Sequence, residues 1–153
     1  MRYTRVTDCD FNNGEGIRVT LWVSGCRHRC LGCQNEWMQR YDIGHPLSEC
    51  WDMVERYSEP GYISGLTLSG GDPLDQDDLN ELKELILRYR ETFPDKTIWL
   101  YTGFYYDRLS AEQKEIADLC DVVVDGPFIE SQKDLTLPFR GSANQHIIHI
   151  KEH

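Results

Sequence analysis

Three cysteines fall within eight residues, Cys26-Arg27-His28-Arg29-Cys30-Leu31-Gly32-Cys33, directly after the apolar, β-branched run Ile17 to Ser24. A chain with that cluster is constrained to end a strand in a loop that can curl around its own thiols. Three thiolates that close can hold one compact metal centre, one ligand short of a closed four-ligand structural site. The spacing C-x3-C-x2-C suits a short loop wrapping three corners of a cubane. Zinc, with a fourth ligand from His28 or a distant cysteine, is the structural alternative. Zinc knuckles usually come as two separated pairs, however, and this sequence has no second one. The open coordination position is where chemistry is expected.

The other cysteines, Cys9, Cys50 and Cys120, are scattered and read as inert packing thiols. A disulfide framework belongs to small secreted chains with poor cores, whereas 153 residues can build one domain, expected over 1–153. No apolar run approaches a membrane span and no signal-peptide segment follows Met1, so a reducing cytoplasmic compartment is expected. The net charge of −10 would repel a phosphate backbone, which argues against nucleic acid as a partner.

Along the chain, strands are expected at Arg2 to Asp8, Ile17 to Ser24, Ile63 to Leu68, Thr97 to Tyr101, Asp121 to Asp125 and Gln145 to Ile150. Helical spacing appears in Ser48 to Ser58, with Ser48 as a plausible N-cap. It recurs in Leu79, Leu82, Leu85, Ile86 and Tyr89, ahead of Pro94. Ser110 and Gln113 form a capping-box pattern for a third helix. Alternating strands and helices imply an α/β fold with a mostly parallel sheet, too short for a closed eight-stranded barrel and therefore open or a partial barrel.

Ser69-Gly70-Gly71-Asp72 follows a strand, where parallel sheets place ligands, and two glycines let a ligand approach the backbone. Taken alone, Gly-Gly-Asp-Pro is a common turn, and Thr102-Gly103 an ordinary strand end.

In combination these segments resemble the radical S-adenosylmethionine superfamily and, within it, the glycyl-radical activases that serve anaerobic ribonucleoside-triphosphate reductase. The resemblance runs in order through Asn13-Gly14-Glu15-Gly16-Ile17-Arg18, Val23-Ser24-Gly25-Cys26, Cys30-Leu31-Gly32-Cys33, Leu68-Ser69-Gly70-Gly71-Asp72-Pro73-Leu74, Ile98-Trp99, Thr102-Gly103, Val124-Asp125-Gly126 and Arg140-Gly141-Ser142. Gly32 stands where many superfamily members carry an aromatic residue, and Gln34 replaces an aromatic found in some relatives.

The resemblance implies a 4Fe-4S cluster on Cys26, Cys30 and Cys33. It implies S-adenosylmethionine held near Gly32, Cys33 and Gln34, by Ser69, Gly70, Gly71 and Asp72, and at Thr102. The implied reaction is reductive cleavage of that cofactor to methionine and a 5′-deoxyadenosyl radical, which abstracts hydrogen from a glycine of the reductase. No separate acid–base residue is implied. An activase of pyruvate formate-lyase is the nearest alternative; an electron-transfer or zinc module is the alternative outside the superfamily. Arg27, His28 and Arg29 read either as a solvated face or as a docking patch for an acidic electron donor such as reduced flavodoxin.

Overall fold

The computed structural model describes residues 1–28 and 36–150. A long strand, β1 (Arg2–Asp10), turns back through the Asn/Gly-rich residues 11–16 into β2 (Ile17–Val23) and pairs with it antiparallel. The short β3 (His45–Pro46) lies along the outer side of β1. After helix α1 (Trp51–Ser58) comes β4 (Ile63–Gly70), followed by α2 (Asn80–Thr92), β5 (Thr97–Tyr101), α3 (Ala111–Asp118) and β6 (Val122–Asp125). The last strand is β7 (His146–His149).

One seven-stranded sheet results, in the order β3-β1-β2-β4-β5-β6-β7, open between its edges β3 and β7. The expectation of a mostly parallel sheet is corrected. Only β2–β4, β4–β5 and β5–β6 are parallel, while β1–β2, β1–β3 and β6–β7 are antiparallel. Helical crossovers make the parallel neighbours. The flanks lack them: a tight turn joins β1 to β2, and residues 126–145 return to β7 without an α-helix.

The period-two alternation of each strand divides the sheet into two different faces. Val19, Leu21, Val23, Leu66, Leu68, Ile98, Leu100 and Val123 form one core with Val54 of α1, Leu82, Ile86 and Tyr89 of α2, and Ile116 of α3. The opposite face carries Trp99, Val122 and Val124, packed with Tyr101, Phe139 and Ile147. Beside them it buries Arg18, Thr20, Thr67 and Ser69.

Helix starts follow local chemistry unevenly. The Ser110–Gln113 capping box forms with both of its hydrogen bonds. Ser48 does not cap α1: it lies in a 3-10 turn (Leu47–Glu49), and the helix begins after Cys50 without a side-chain cap. Leu47 is buried and its N–H donates to the Met1 carbonyl, which holds this turn so that the α-helix starts later than the capping pattern suggested. Cys50 and Cys120 are buried packing thiols as expected, and burial pushes the Cys50 pKa up to about 12. Cys9 is exposed, with a left-handed backbone at φ 51°, in the irregular end of β1.

Arg18 is fully buried, and its five N–H donors are all matched. Nε donates to Thr67 Oγ1 at 2.8 Å, Nη1 to Thr97 Oγ1 and the Glu15 carbonyl, and Nη2 to the Leu66 and Thr97 carbonyls. The guanidinium thus ties β2 to β4 and β5 through neutral acceptors, and its desolvation lowers its pKa to about 10. Gly65 makes this possible, since a Cβ there would lie 2.8 Å from Arg18 Nη2 and 1.8 Å from the Thr97 carbonyl oxygen. Replacing Arg18 by methionine strips several buried acceptors of their donors at once. We expect a loss of about 3 kcal/mol in urea unfolding; a loss below about 1 kcal/mol, the size of one ordinary hydrogen bond, would contradict this role.

Candidate metal centre

The cysteine loop leaves β2 along a narrow path. Ser24 N–H donates to the Arg2 carbonyl, Gly25 N–H to Met38 at 2.7 Å, and Cys26 N–H to Gln39 at 3.0 Å. Gly25 has φ 101°, and a Cβ there would stand 2.1 Å from the Tyr41 ring, so both conformation and space require glycine. Cys26 is partly exposed at the C-terminal end of the sheet. Arg29, Cys30, Gly32, Cys33 and Gln34 lie outside the described residues.

The Gly-Gly turn after β4 packs against this path backbone to backbone. Gly71 N–H donates to the Val23 carbonyl at 2.9 Å and Asp72 N–H to the Gly25 carbonyl at 2.7 Å. Gly70 has φ 111°, and a Cβ on Gly71 would meet the Gly25 carbonyl oxygen at 2.4 Å. The two glycines therefore let two loops touch. The same contacts leave no room for side chains beside the cysteine loop.

Asp72 is 1% exposed and joins three loops. Its Oδ1 accepts from Leu74 N–H and the Thr102 hydroxyl, each at 2.9 Å. Its Oδ2 accepts from Gly103 N–H at 2.8 Å and pairs with His28 Nε2 at 2.6 Å. Thr102, expected to contact the cofactor, is likewise buried with its hydroxyl directed to Asp72. His28 is partly buried rather than fully solvated: it sits edge-on to Phe104 at 4.5 Å, against Gly103. The hydrogen bond to Asp72 raises the His28 pKa above the ordinary histidine value, with burial opposing it.

Arg27 does not present a free positive charge. Its guanidinium pairs with Asp75 at 3.1 Å and Asp77 at 2.7 Å, over the face of Tyr41. Tyr41 in turn donates to the Asp75 carbonyl at 2.8 Å, and burial raises its pKa. Gln76 completes the brace by donating to the Ser24 and Asp72 carbonyls. Sequence reasoning singled out none of Tyr41, Asp75 or Gln76; only their nearness to the Gly-Gly-Asp motif and the cysteines would have hinted at them.

Cys26, His28 and Asp75 offer ligand atoms within 4.8 Å of one another, a partial match to the zinc alternative. Both Asp75 oxygens accept from Arg27, and His28 is held by Asp72, so the two non-thiol members are already employed. Cys26 is the described member of the three cysteines expected to share a centre.

On the sheet face opposite the helices, a cavity of about 540 Å³ opens beside Ser69, between Trp22, Tyr101, Phe139 and Arg140. A larger cleft of about 870 Å³ lies among Ile63, Ser64, Lys96 and Thr97, where the strands start, at the end away from the cysteine loop. Parallel sheets bind ligands at the carboxyl ends of their strands, which favours the smaller cavity as the functional one.

Comparison with known proteins agrees with this geometry. A family model described as a 4Fe-4S single cluster domain matches residues 12–148, which supports an iron–sulfur cluster. The chain is similar to curated proteins named anaerobic ribonucleoside-triphosphate reductase-activating protein. The one from Escherichia coli (strain K12) is 39% identical over 99% of this chain and 100% of its own length. The Haemophilus influenzae protein is 40% identical over 97% of each. That of Enterobacteria phage T4 is 38% identical over 96% of this chain and 93% of its own. At this identity over nearly the whole length, the chain belongs to the family of anaerobic ribonucleoside-triphosphate reductase-activating proteins.

Proposed function

We propose that this protein activates an anaerobic ribonucleoside-triphosphate reductase by installing a glycyl radical on it, as one radical S-adenosylmethionine domain spanning 1–153. The observation that carries the reading is the convergence of the Cys26 loop, the Gly70–Gly71 turn and Thr102–Gly103 at the carboxyl ends of β2, β4 and β5, locked by Asp72. Full-length similarity to the named activating proteins supports it. The open sheet is consistent with a partial barrel.

Cys26, Cys30 and Cys33 would hold a 4Fe-4S cluster, with Gly32 and Gln34 flanking S-adenosylmethionine. The chemistry that this pair supplies when bound is reductive cleavage of the cofactor, ending in hydrogen abstraction from a glycine of the reductase. The chain's own part is positional. Ser69, Gly70 and Gly71 would present backbone and hydroxyl to the cofactor. Asp72 and Thr102 hold that turn at a fixed height over the cysteine loop, because their polar atoms already bind each other. The reaction requires a one-electron donor, for which reduced flavodoxin or a similar protein is the proposed partner. The pairing of Arg27 with Asp75 and Asp77 cancels the local field that would steer an acidic donor to that residue.

Anaerobic reconstitution with iron and sulfide, followed by reduction, tests the reading. The wild-type protein should take up a cluster, form 5′-deoxyadenosine and generate a glycyl signal in the reductase. Cys26→Ala should lose the cluster and all cleavage; normal cleavage by that variant would remove Cys26 from the ligand set. Asp72→Asn places amide hydrogens against donors, and should cost about 1–3 kcal/mol of stability for each donor left unmatched. It should also weaken S-adenosylmethionine binding at least tenfold. Unaltered cofactor affinity in a folded Asp72→Asn protein would separate the turn from the cofactor site.

A further inference from the structure

His28 stands midway in sequence between Cys26 and Cys30, two of the three expected ligands, yet its side chain is only 17% exposed. A receptacle from another part of the chain takes up the ring. Nε2 meets Asp72 Oδ2 at 2.6 Å, and the ring lies edge-on to Phe104 at 4.5 Å. A Cβ on Gly103 would stand 2.6 Å from the ring, so the lack of a side chain there makes the space. The receptacle is itself held in place. Phe104 packs against the main core, its carbonyl accepts from Gly126 N–H at 2.9 Å, and Gly103 N–H donates to the same Asp72 oxygen at 2.8 Å.

The partners of Asp72 decide which way the contact with His28 runs. Leu74 N–H and Gly103 N–H can only donate, so the carboxylate is the acceptor throughout. The hydrogen of the His28 contact therefore sits on Nε2, whatever the state of Nδ1. Hydrogen bonds to an ionised acceptor are stronger than those between neutral groups, and burial raises the cost of losing one.

Other contacts hold the root of the cysteine loop. Gly25 N–H donates to Met38, Cys26 N–H to Gln39, and Asp72 N–H to the Gly25 carbonyl. His28 carries the attachment further, to the end of β5, at a point between two of the thiols. A centre held by those thiols takes its place from this loop, whereas a cofactor held by Gly70, Gly71 and Thr102 takes its place from the other two. The His28–Asp72 contact joins the two sets. Small errors in the relative position of reacting groups are costly, about a hundredfold for 1 Å.

We propose that His28 is a positioning residue that sets the register of the cysteine loop against the Gly-Gly-Asp turn and Thr102–Gly103, and so the place of the cluster relative to S-adenosylmethionine. The proposal rests on the activating function given above and gives His28 no part as a metal ligand.

Its test compares the wild-type protein with His28→Leu, His28→Gln and His28→Asn after anaerobic reconstitution. Leucine fills the receptacle without a donor. Glutamine offers an N–H at a reach close to that of Nε2, and asparagine one too short to reach Asp72. Iron and sulfide content report cluster loading, and equilibrium dialysis reports S-adenosylmethionine affinity. The EPR spectrum of the reduced cluster, with and without S-adenosylmethionine, reports contact between the two.

All four proteins should load iron to the same extent. His28→Leu and His28→Asn should bind S-adenosylmethionine about tenfold more weakly and lose most of its effect on the EPR spectrum. His28→Gln should stay within about threefold of the wild type and keep the spectral effect. Wild-type affinity and a full spectral effect in His28→Leu overturn the proposal, and so does rescue by leucine but not glutamine, which would make the ring mere packing. Loss of iron from all three variants, with unchanged affinity per cluster, also overturns it and assigns His28 to cluster assembly. A wild-type protein that loads iron but neither binds nor cleaves S-adenosylmethionine overturns the activating chemistry itself, and the proposal with it.

Discussion

A buried carboxylate cannot be left without donors, because the loss of hydration has to be offset by hydrogen bonds or opposite charge. Asp72 meets that requirement with groups from three separate loops: Leu74 in its own turn, Thr102 and Gly103 after β5, and His28 from the cysteine loop. None of these loops is regular structure, and each alone would have many conformations. Tied to one point, they hold the ends of β2, β4 and β5 in a single arrangement. The glycines follow from it. Gly25, Gly70 and Gly71 let the three backbones come close enough for one side chain to reach them all. The partners of His28 also explain why a histidine within a basic triplet is mostly out of solvent.

The sheet makes a second division of labour. Its helix side is an apolar core of the kind that drives folding. Its other side carries Arg18 with every donor matched by protein and, further along the strands, Tyr101 and Arg140 with donors unmatched. The contrast follows the direction of the strands. Arg18 lies near their start, where the structure is complete in itself. The unmatched atoms lie near their carboxyl ends, where a parallel sheet leaves its crevice. The two sets share a face because alternation along each strand puts them there.

Most strands, the second helix and the Ser110 capping box were legible because each depends on neighbours within one turn or one strand. The α/β class followed from their alternation. Sheet direction at the flanks was not legible, since it depends on whether residues 126–145 cross over with a helix or return as a loop. Ser48 misled for a related reason: a capping residue is permissive, and the burial of Leu47 outweighed it. At the site, the cysteine spacing and Ser69-Gly70-Gly71-Asp72 stood out from the sequence. Asp75 and Gln76, which hold Arg27 and the turn, did not. The basic triplet suggested a docking patch because sequence shows charge without showing what lies opposite it.

The sequence by itself pointed to a metal centre, through the number and spacing of thiols, and to the family, through motifs in fixed order over nearly the whole chain. These are properties of covalent order. Only the tertiary structure decided that Asp72 and Thr102 spend their polar atoms on each other. Only it decided that Arg27 is neutralised by Asp75 and Asp77, and that the Tyr101 hydroxyl and Arg140 Nε are buried without a hydrogen-bond partner among the described residues. The physical reason is that a polar group's role depends on which partners reach it within about 3 Å. Those partners lie up to 50 residues away for Arg27 and 44 for Asp72, brought together only by the folded sheet.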